Sequence, residues 1–575
     1  MDEKGTIRAV GSELCNFSFS EAENKAETIA QKRYLSKLER PNSSQRLARR
    51  NSCWDSWVGR DNDLSFSRLY RPNWAIAKMI IAKVLNRFRL GSLEFTSGSE
   101  FVPTLGFNSI ESKLSRSTWT CTEDNFELWL ATVYANRSLK LATRRRFAKL
   151  FAGPQNDMRK INRVLWQRYG NFPDAPKKIF GFKLYAVTEM VRGNRFSTVP
   201  KNNLVDRPIC IEPLANILTQ RRIGIGIRNS LLEYGIDLKT TADLHRSLIS
   251  DPKFATIDLK NASDSISYDL IRYLLPRRVF DLLDQTRSEM TLDLDGEFFF
   301  IKKISSMGNG FTFELMSLIL YALCRSYCSN CSVFGDDIII PNEFAEDLVK
   351  DLESASFIVN YDKTYINSDY RESCGAHFLD GFGYVESYDF RYPTNMGEVI
   401  TIINKLSRLA QIYPSFIPLW YNIYRLMPKT LYPDITAKAS GDWRHKQDPL
   451  DKMKLDEFIT PSPFLFEKCG IEMKHHAKSI LRDFCHDLQI DHRGAVMHYG
   501  YQWIDRSPQP RVLSPSIHWA KILMYLSSGR CCKDVKRGKG AFKSFMYVTL
   551  KDGTTFRWSI IVAYARKGKG MPMLT

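Results

Sequence analysis

Apolar residues recur at intervals of three and four through residues 74–88, WAIAKMIIAKVLNRF, which is the period of a helix with one buried face. The same period carries far more charge at 138–150, SLKLATRRRFAKL. The basic face of that helix is either solvated or turned toward phosphate. From about Phe196 the pattern changes. Extended runs at 197–200, 208–211, 254–258, 298–304 and 333–340 alternate with helical stretches, an α+β pattern. Beyond about Asp389 helical stretches dominate, including 398–412. From Arg511 extended segments return, punctuated by the basic runs KDVKRGKG (533–540) and ARKGKG (565–570). Residues 1–60 are rich in Ser, Asn, Arg and Glu, and 40–52 reads as a basic, mobile or surface segment. No internal repeat is visible.

A chain of 575 residues is too long for a single core and predicts two to four lobes. Lys and Arg number 82 against 63 Asp and Glu, a formal charge of +19. A globular protein with that surplus is expected to meet a polyanion, with nucleic acid the first candidate. The opening MDEKGTIRAV lacks the basic and apolar regions of a secretory signal, and no apolar run approaches the ~18 residues of a membrane span. No membrane association is expected. The 12 irregularly spaced cysteines suit reduced thiols in a cytosol. Cys324, Cys328 and Cys331 fall at helical spacing and read as core thiols, because a structural zinc would want a second pair nearby. His475, His476, His486, His492 and His498 match no zinc spacing.

The sharpest chemistry is in SVFGDDIIIP, 332–341. Apolar residues flank Gly-Asp-Asp on both sides, which predicts two short buried strands joined by a turn that Gly335 permits. Adjacent carboxylates at such a tip repel one another unless a cation sits against them. A GDD triplet alone is an ordinary surface turn as often as a site. It gains weight from FATIDLKNASDSIS, 254–267, where a strand-like run ends in Asp258 and a helix is expected from near Ala262, capped by Asn261 or Ser263. If the two strands are neighbours, Asp258, Asp336 and Asp337 converge. Three carboxylates suit two Mg²⁺ ions, with Mn²⁺ a substitute, about 4 Å apart as in-line phosphoryl transfer requires. Between them, SSMGNGFTFELMSLILYAL (305–323) predicts a flexible loop with Gly308 and Gly310. The loop enters a helix whose buried stripe is Phe311, Leu315, Leu318 and Ala322.

Taken in order, TVPKN, DRPICIEP, YGID, FATIDL, ASDSIS, SSMGNGFTFEL, FGDDIIIP and RESCG resemble the ordered motifs of viral RNA polymerases. More narrowly, they resemble those of the replicase subunit of the levivirus family, the small positive-strand RNA bacteriophages. The resemblance covers roughly 196–380, with a weaker match at RLYRP (68–72). It implies a right-hand polymerase fold of fingers, palm and thumb, with an antiparallel palm sheet carrying the catalytic aspartates. The expected division is 1–60 polar basic segment, 61–253 N-terminal region and fingers, 254–390 palm, and 391–575 thumb and C-terminal region.

The resemblance also implies an RNA-directed RNA polymerase that replicates a phage genome in the cytoplasm of an infected bacterium, with primer-independent initiation. By carry-over, Asp258, Asp336 and Asp337 hold metal. Lys201 and Arg207 contact the incoming triphosphate. Asp264, Ser306 and Asn309 read the ribose 2′-hydroxyl beside Gly308, and Lys363 protonates pyrophosphate. Implied partners are RNA template and product, NTPs, host elongation factors Tu and Ts, and a small-subunit ribosomal RNA-binding protein. Phe334 stands where many relatives have Tyr. Asp258 and Asp264 are separated by five residues, where many eukaryotic viral polymerases have four. A reverse transcriptase is the nearest rival, but LKNASDS lacks the bulky aromatic that excludes a 2′-hydroxyl. A degenerate RNA-binding protein is the other; the intact carboxylates and basic residues argue against it.

Overall fold

The computed structural model describes most of residues 3–426 and, beyond them, six short strands. Within 3–426, residues 39–45, 67–71 and 202–204, most of 96–117 and a few shorter stretches lie outside the description. The chain divides into two compact units. One comprises Met1–Arg40, Glu386–Lys521 and Asp534–Thr575; the other comprises Pro41–Val385 and Ile522–Lys533. Both are mixtures of helices and sheets, an α+β architecture. Among the described residues no helix is long and apolar enough to cross a membrane.

The first unit contains helices Glu3–Asn16, Lys25–Leu35, Met396–Ile412 and Ile417–Leu426. Its core is aromatic: Tyr34 packs on Phe390 and Phe416 at centroid separations of 4.8 and 6.0 Å. The Tyr34 hydroxyl donates to the Leu14 carbonyl at 2.8 Å, so the polar tip is satisfied where the ring is buried. Among its described strands, Phe464–Phe466, Val496–Trp503, Phe542–Thr549 and Thr555–Arg557 form one antiparallel sheet in that order. The basic runs 533–540 and 565–570 lie outside the described residues, as do four of the five clustered histidines; of the side chain of His498, in a strand, nothing is described.

The second unit is built around two buried helices. Leu214–Glu233 has thirteen buried residues and is exposed only near its end, at Asn229, Leu232 and Glu233. Thr312–Tyr327 packs against it and against Pro72–Val84, the helix expected over 74–88. In Pro72–Val84 the buried positions Trp74, Ala77, Ile81 and Val84 recur at three and four, and Pro72 supplies a preset φ at its start. The Trp74 indole donates to the Asp351 carbonyl at 3.1 Å. Phe311, Leu315, Leu318 and Ala322 are fully buried, as their spacing predicts. Cys324 is fully buried on the same helix, with Cys328 and Cys331 packed partly against this core.

Three sheets position the site. Phe254–Ile257 pairs antiparallel with Asp337–Pro341, which pairs with Ser332–Phe334. Asn194–Pro200 and Asp206–Ile211 form a hairpin extended by Met290–Leu292 and Phe298–Phe300. Tyr370–Ser373, Ala376–Leu379 and Gly383–Tyr384 form the third.

Part of the stretch 40–52, expected to be a basic, mobile or surface segment, opens the helix Arg46–Asn62. Arg46, Leu47, Ala48, Asn51 and Ser52 are exposed as expected, Arg49 is buried, and beyond the stretch the helix buries Trp57 and Asp61. One expectation needs correction here: no regular α-helix starts near Ala262. Asn261 adopts φ 52°, a 3₁₀ turn runs over Ala262–Ser265, and the α-helix begins at Tyr268 with Ser267 as its cap.

Candidate active site

The aspartate hairpin forms as its sequence predicts. Asp337 pairs with Phe334 across the two-residue turn Gly335-Asp336. Gly335 has φ 65°, and a Cβ there would lie 2.9 Å from the Phe313 ring, so both backbone and space call for glycine. The turn is anchored by Gly335 N–H donating to Ser317 Oγ at 3.0 Å. Phe334 packs edge-on to Phe313 with centroids 4.9 Å apart.

Because Ile338 pairs with Ile257, the next position outward sets Asp337 beside Asp258. Asn360 fixes Asp258 twice. Its backbone N–H donates to the Asp258 carbonyl at 2.8 Å, and its Nδ2 donates to Oδ2 at 2.5 Å. Burial raises the pKa of Asp258; Asn360 and Lys363 oppose this, while Asp336 adds to it. Burial likewise pushes Asp337 up to about 6, with Asp336 and then Asp258 contributing repulsion. Crowded, half-buried carboxylates that resist ionising are a donor set that a hard cation relieves. As they stand, no three such groups among the described residues close around one point. Mg²⁺ held by one or two carboxylates, with water and phosphate oxygens completing its octahedron, needs no closed cage.

Asp264 lies deeper, only 3% exposed. The Trp57 indole donates to its Oδ1 at 2.8 Å, and Lys303 Nζ approaches the same oxygen at 3.9 Å. Lys303 is itself fully buried; it donates to the Trp57 carbonyl at 3.1 Å and sits 3.7 Å from that indole's centroid. Burial raises the pKa of Asp264 and lowers that of Lys303, and their mutual attraction opposes both shifts. Asp61 accepts from the backbone N–H groups of Lys302 and Lys303, so one face of Arg46–Asn62 holds this whole pocket. Asp264 lines a cavity of about 490 Å³ together with Arg49, Trp57 and Arg60 on one side and Val205, Asp206 and Pro208 on the other.

The second of those walls is the basic hairpin. Arg207 is exposed and pairs with Val199; Lys201, also exposed, closes the hairpin through its N–H to the Val205 carbonyl at 3.0 Å. Asp206 is buried beside Arg49 at 3.5 Å.

The loop at 306–310 is packed rather than flexible, which corrects the expectation for Gly308 and Gly310. Gly308 has φ 122°, and a Cβ there would fall 2.0 Å from the Cys210 carbonyl. The glycine thus lets two backbone segments of the chain approach closely. Ser306 is buried beside Asp264. Asn309 accepts from Ser306 N–H at 2.7 Å and donates to Glu212 at 2.9 Å.

Glu212 is buried and also accepts from Asn194 and Ser288, each at 2.8 Å. Burial nevertheless lifts it from 4.5 to about 7. A raised carboxyl stabilises the fold fully below its unfolded pKa and loses that contribution as pH rises through the folded one. Glu212→Gln cannot ionise, and the Ser288 hydroxyl can rotate to accept from its amide. Wild type should therefore lose stability relative to Glu212→Gln between pH 4.5 and about 7, by at most about 3 kcal/mol. Thermal melts of both proteins across that range check this; parallel pH profiles would remove the assignment.

Lys363 lies on a 3₁₀ turn after the strand Ile358–Val359. Its Nζ is 3.3 Å from Glu372 Oε1, and its charge lowers the pKa of Asp258. The third sheet thus reaches the aspartates, with Glu372 on Lys363 and Cys374, in its first turn, hydrogen-bonded to Asp337.

A family model described as RNA replicase, beta-chain, matches residues 145–451. The chain belongs to this family. It is 37% identical over 270 residues to the RNA-directed RNA polymerase subunit beta of Qbeta virus (strain MX1), covering 44% of this chain and 46% of that one. It is 38% identical over 226 residues to the RNA-directed RNA polymerase beta chain of Escherichia phage MS2, covering 38% and 41%. The match spans about half the length of these relatives or less. Among solved structures, the RNA-dependent RNA polymerase of bacteriophage phi12 aligns with a TM-score of 0.38 at 12% identity, over 73% of this chain and 77% of that one.

In this replicase beta-chain relative, the residues missed by sequence reading are Asn360, Trp57, Lys303, Glu212 and Glu372. Asn360 lies three positions before Lys363, Glu372 lies within RESCG, and Glu212 lies within DRPICIEP. The signal for Trp57 was the apolar set Cys53, Trp54, Trp57 and Val58 at helical spacing within a basic stretch.

Proposed function

We propose that the chain is a template-directed RNA-dependent RNA polymerase of a positive-strand RNA phage, with a right-hand fold whose palm holds the aspartate sheet. The observation that carries this reading is the pairing of Phe254–Ile257 with Asp337–Pro341, which sets Asp258 against Asp336 and Asp337. Two Mg²⁺ ions held there would supply an activated 3′-hydroxyl and charge neutralisation at the leaving pyrophosphate. The chain's own residues do the rest. Asn360 orients Asp258, and Lys201 and Arg207 attract and align the triphosphate from the basic hairpin. Asp264 presents a fixed acceptor for a ribose hydroxyl on the wall of the 490 Å³ cavity, with Ser306 beside it and Asn309 holding the Ser306 backbone.

The deciding experiment is incorporation of NTPs against dNTPs on an RNA template, with Mg²⁺, Mn²⁺ or chelator, without a primer, and with or without elongation factors Tu and Ts and the ribosomal protein. Preference for dNTPs would favour the reverse-transcriptase reading. Metal-dependent RNA synthesis from NTPs supports the proposal, and its absence under every condition would end it.

Lys363, whose charge acts on Asp258, gives its proton to pyrophosphate in this reading, with Glu372 restraining the ammonium between turnovers. Lys363→Leu is expected to lower the single-turnover rate at saturating NTP by ~10²-fold and to change its solvent isotope effect. An unchanged rate removes Lys363 from the mechanism.

A further inference from the structure

Charge is unevenly distributed along this chain. Residues 137–186 hold 13 Lys and Arg against 2 Asp and Glu, a net +11 of the chain's +19. They fold as three helices, Arg137–Leu150, Met158–Tyr169 and Ala175–Ala186, the third packing on the other two. Both acidic residues are engaged locally. Asp157 caps its helix through Arg159 N–H at 2.8 Å, and Asp174 lies 3.9 Å from Lys178. Among the described residues, Arg144, Arg145, Arg159, Lys160 and Arg163 are exposed and none has an ion pair. One arginine is turned inward instead: Arg146 stacks on Trp119 at 4.3 Å, where burial lowers its pKa to about 10. The helices crowd their positive groups: burial, and then the charge of Arg144, lowers the pKa of Lys183.

These helices and the turn before the third also expose large apolar rings. Trp166 is 52% exposed, Phe172 47% and Tyr185 48%. Arg159, Arg163 and Trp166 recur at four and three on one face of their helix. None of these residues lines the cavity beside Asp264. A single-sign field repels itself and is stabilised when a polyanion neutralises it. Aromatic rings between arginines add stacking platforms that a duplex, with its bases already stacked, does not use. We propose that the three-helix surface over 137–186 is an RNA-binding site, separate from the aspartate cluster, that holds single-stranded RNA by phosphate contacts and base stacking on Trp166. An acidic protein surface is the competing occupant, but it gives exposed aromatics no bases to stack on.

The test uses the full chain and an unstructured 30-nucleotide RNA, with affinity measured by fluorescence anisotropy across salt concentration. The quadruple variant Arg145→Gln, Arg159→Gln, Lys160→Gln, Arg163→Gln should bind at least tenfold more weakly at low salt. Its salt slope should fall by about 3, since each single-strand phosphate contact contributes about 0.7. Trp166→Ala should weaken binding about tenfold with an unchanged slope. Both substitutions are on the surface, and unaltered melting temperatures would show that the fold is intact. Duplex RNA of equal length should be affected less by Trp166→Ala. Wild-type affinity and slope in the quadruple variant would overturn the proposal, including the outcome in which only an acidic protein loses binding. The assay needs no catalysis, so a chain that binds RNA here yet incorporates no NTP would sink the polymerase reading while sustaining this one.

Discussion

Asp258→Asn and Asp336→Asn are each expected to reduce nucleotide incorporation by a thousandfold or more while the protein stays folded. Each change removes one ligand charge and almost no volume. Losing a metal ligand's charge removes several kcal/mol of transition-state stabilisation, which at about 1.4 kcal/mol per decade gives that factor. Stability should move the other way. Burial and its two neighbours hold Asp337 at about 6, so at neutral pH the fold keeps a carboxylate ionised against its preference. The sign follows from linkage: a raised carboxyl loses its stabilising contribution as pH rises through its folded pKa. Asp337→Asn has no such loss. In chelator above pH 6 it should melt at or above the wild-type temperature, and added Mg²⁺ should raise the melting temperature of wild type but not of the variant. Near-normal turnover in either Asp258→Asn or Asp336→Asn would overturn the metal assignment. A lower melting temperature for Asp337→Asn in chelator would show that the carboxylate is structural.

The aspartate hairpin was legible because its signals are local. Apolar runs flank a glycine-containing turn, and burial on both sides leaves the tip as the one place for charge. The strand ending at Asp258 was legible for the same reason, and so was the basic hairpin, whose two halves are six or seven residues each. The cradle of Asp264 was not. Trp57 and Lys303 reach it from 207 and 39 positions away; in sequence Trp57 shows only as one of an apolar set, and Lys303 looks like an ordinary surface residue. A polar residue whose partner is remote leaves no periodic trace, because the pattern of burial records only apolar positions. The loop at 306–310 failed differently. Glycine marks both flexible loops and close backbone contacts, and only the approach of the Cys210 carbonyl to Gly308 separates the two. Asn360 stands three positions before Lys363, which the family resemblance singles out, yet it is the asparagine that hydrogen-bonds Asp258.

Lys303→Met is expected to destabilise the second unit by about 3–5 kcal/mol, the range for removing one partner of a buried ion pair. Lys303 is fully buried and Asp264 nearly so, and each has its pKa displaced by burial toward neutrality. Removing the ammonium leaves Asp264 with the Trp57 indole and the attraction of Arg60. Removing the carboxylate charge, as in Asp264→Asn, leaves Lys303 with the Trp57 carbonyl and ring and the attraction of Asp61. Each single variant therefore strands a buried charge without its strongest countercharge. The double variant strands none, so its loss should be smaller than the sum of the two, with a coupling of about 2 kcal/mol or more. Urea denaturation of the four proteins measures this, and additive losses would show that the pair is not coupled. A second readout separates positioning from mere stability. If Lys303 acts by holding the Asp264 carboxylate, both single variants should lose discrimination between NTP and dNTP in the same direction. Trp57→Phe, which removes only the indole donor, should lose part of it. Unchanged discrimination in Lys303→Met, at a temperature where it is folded, would confine Lys303 to the core.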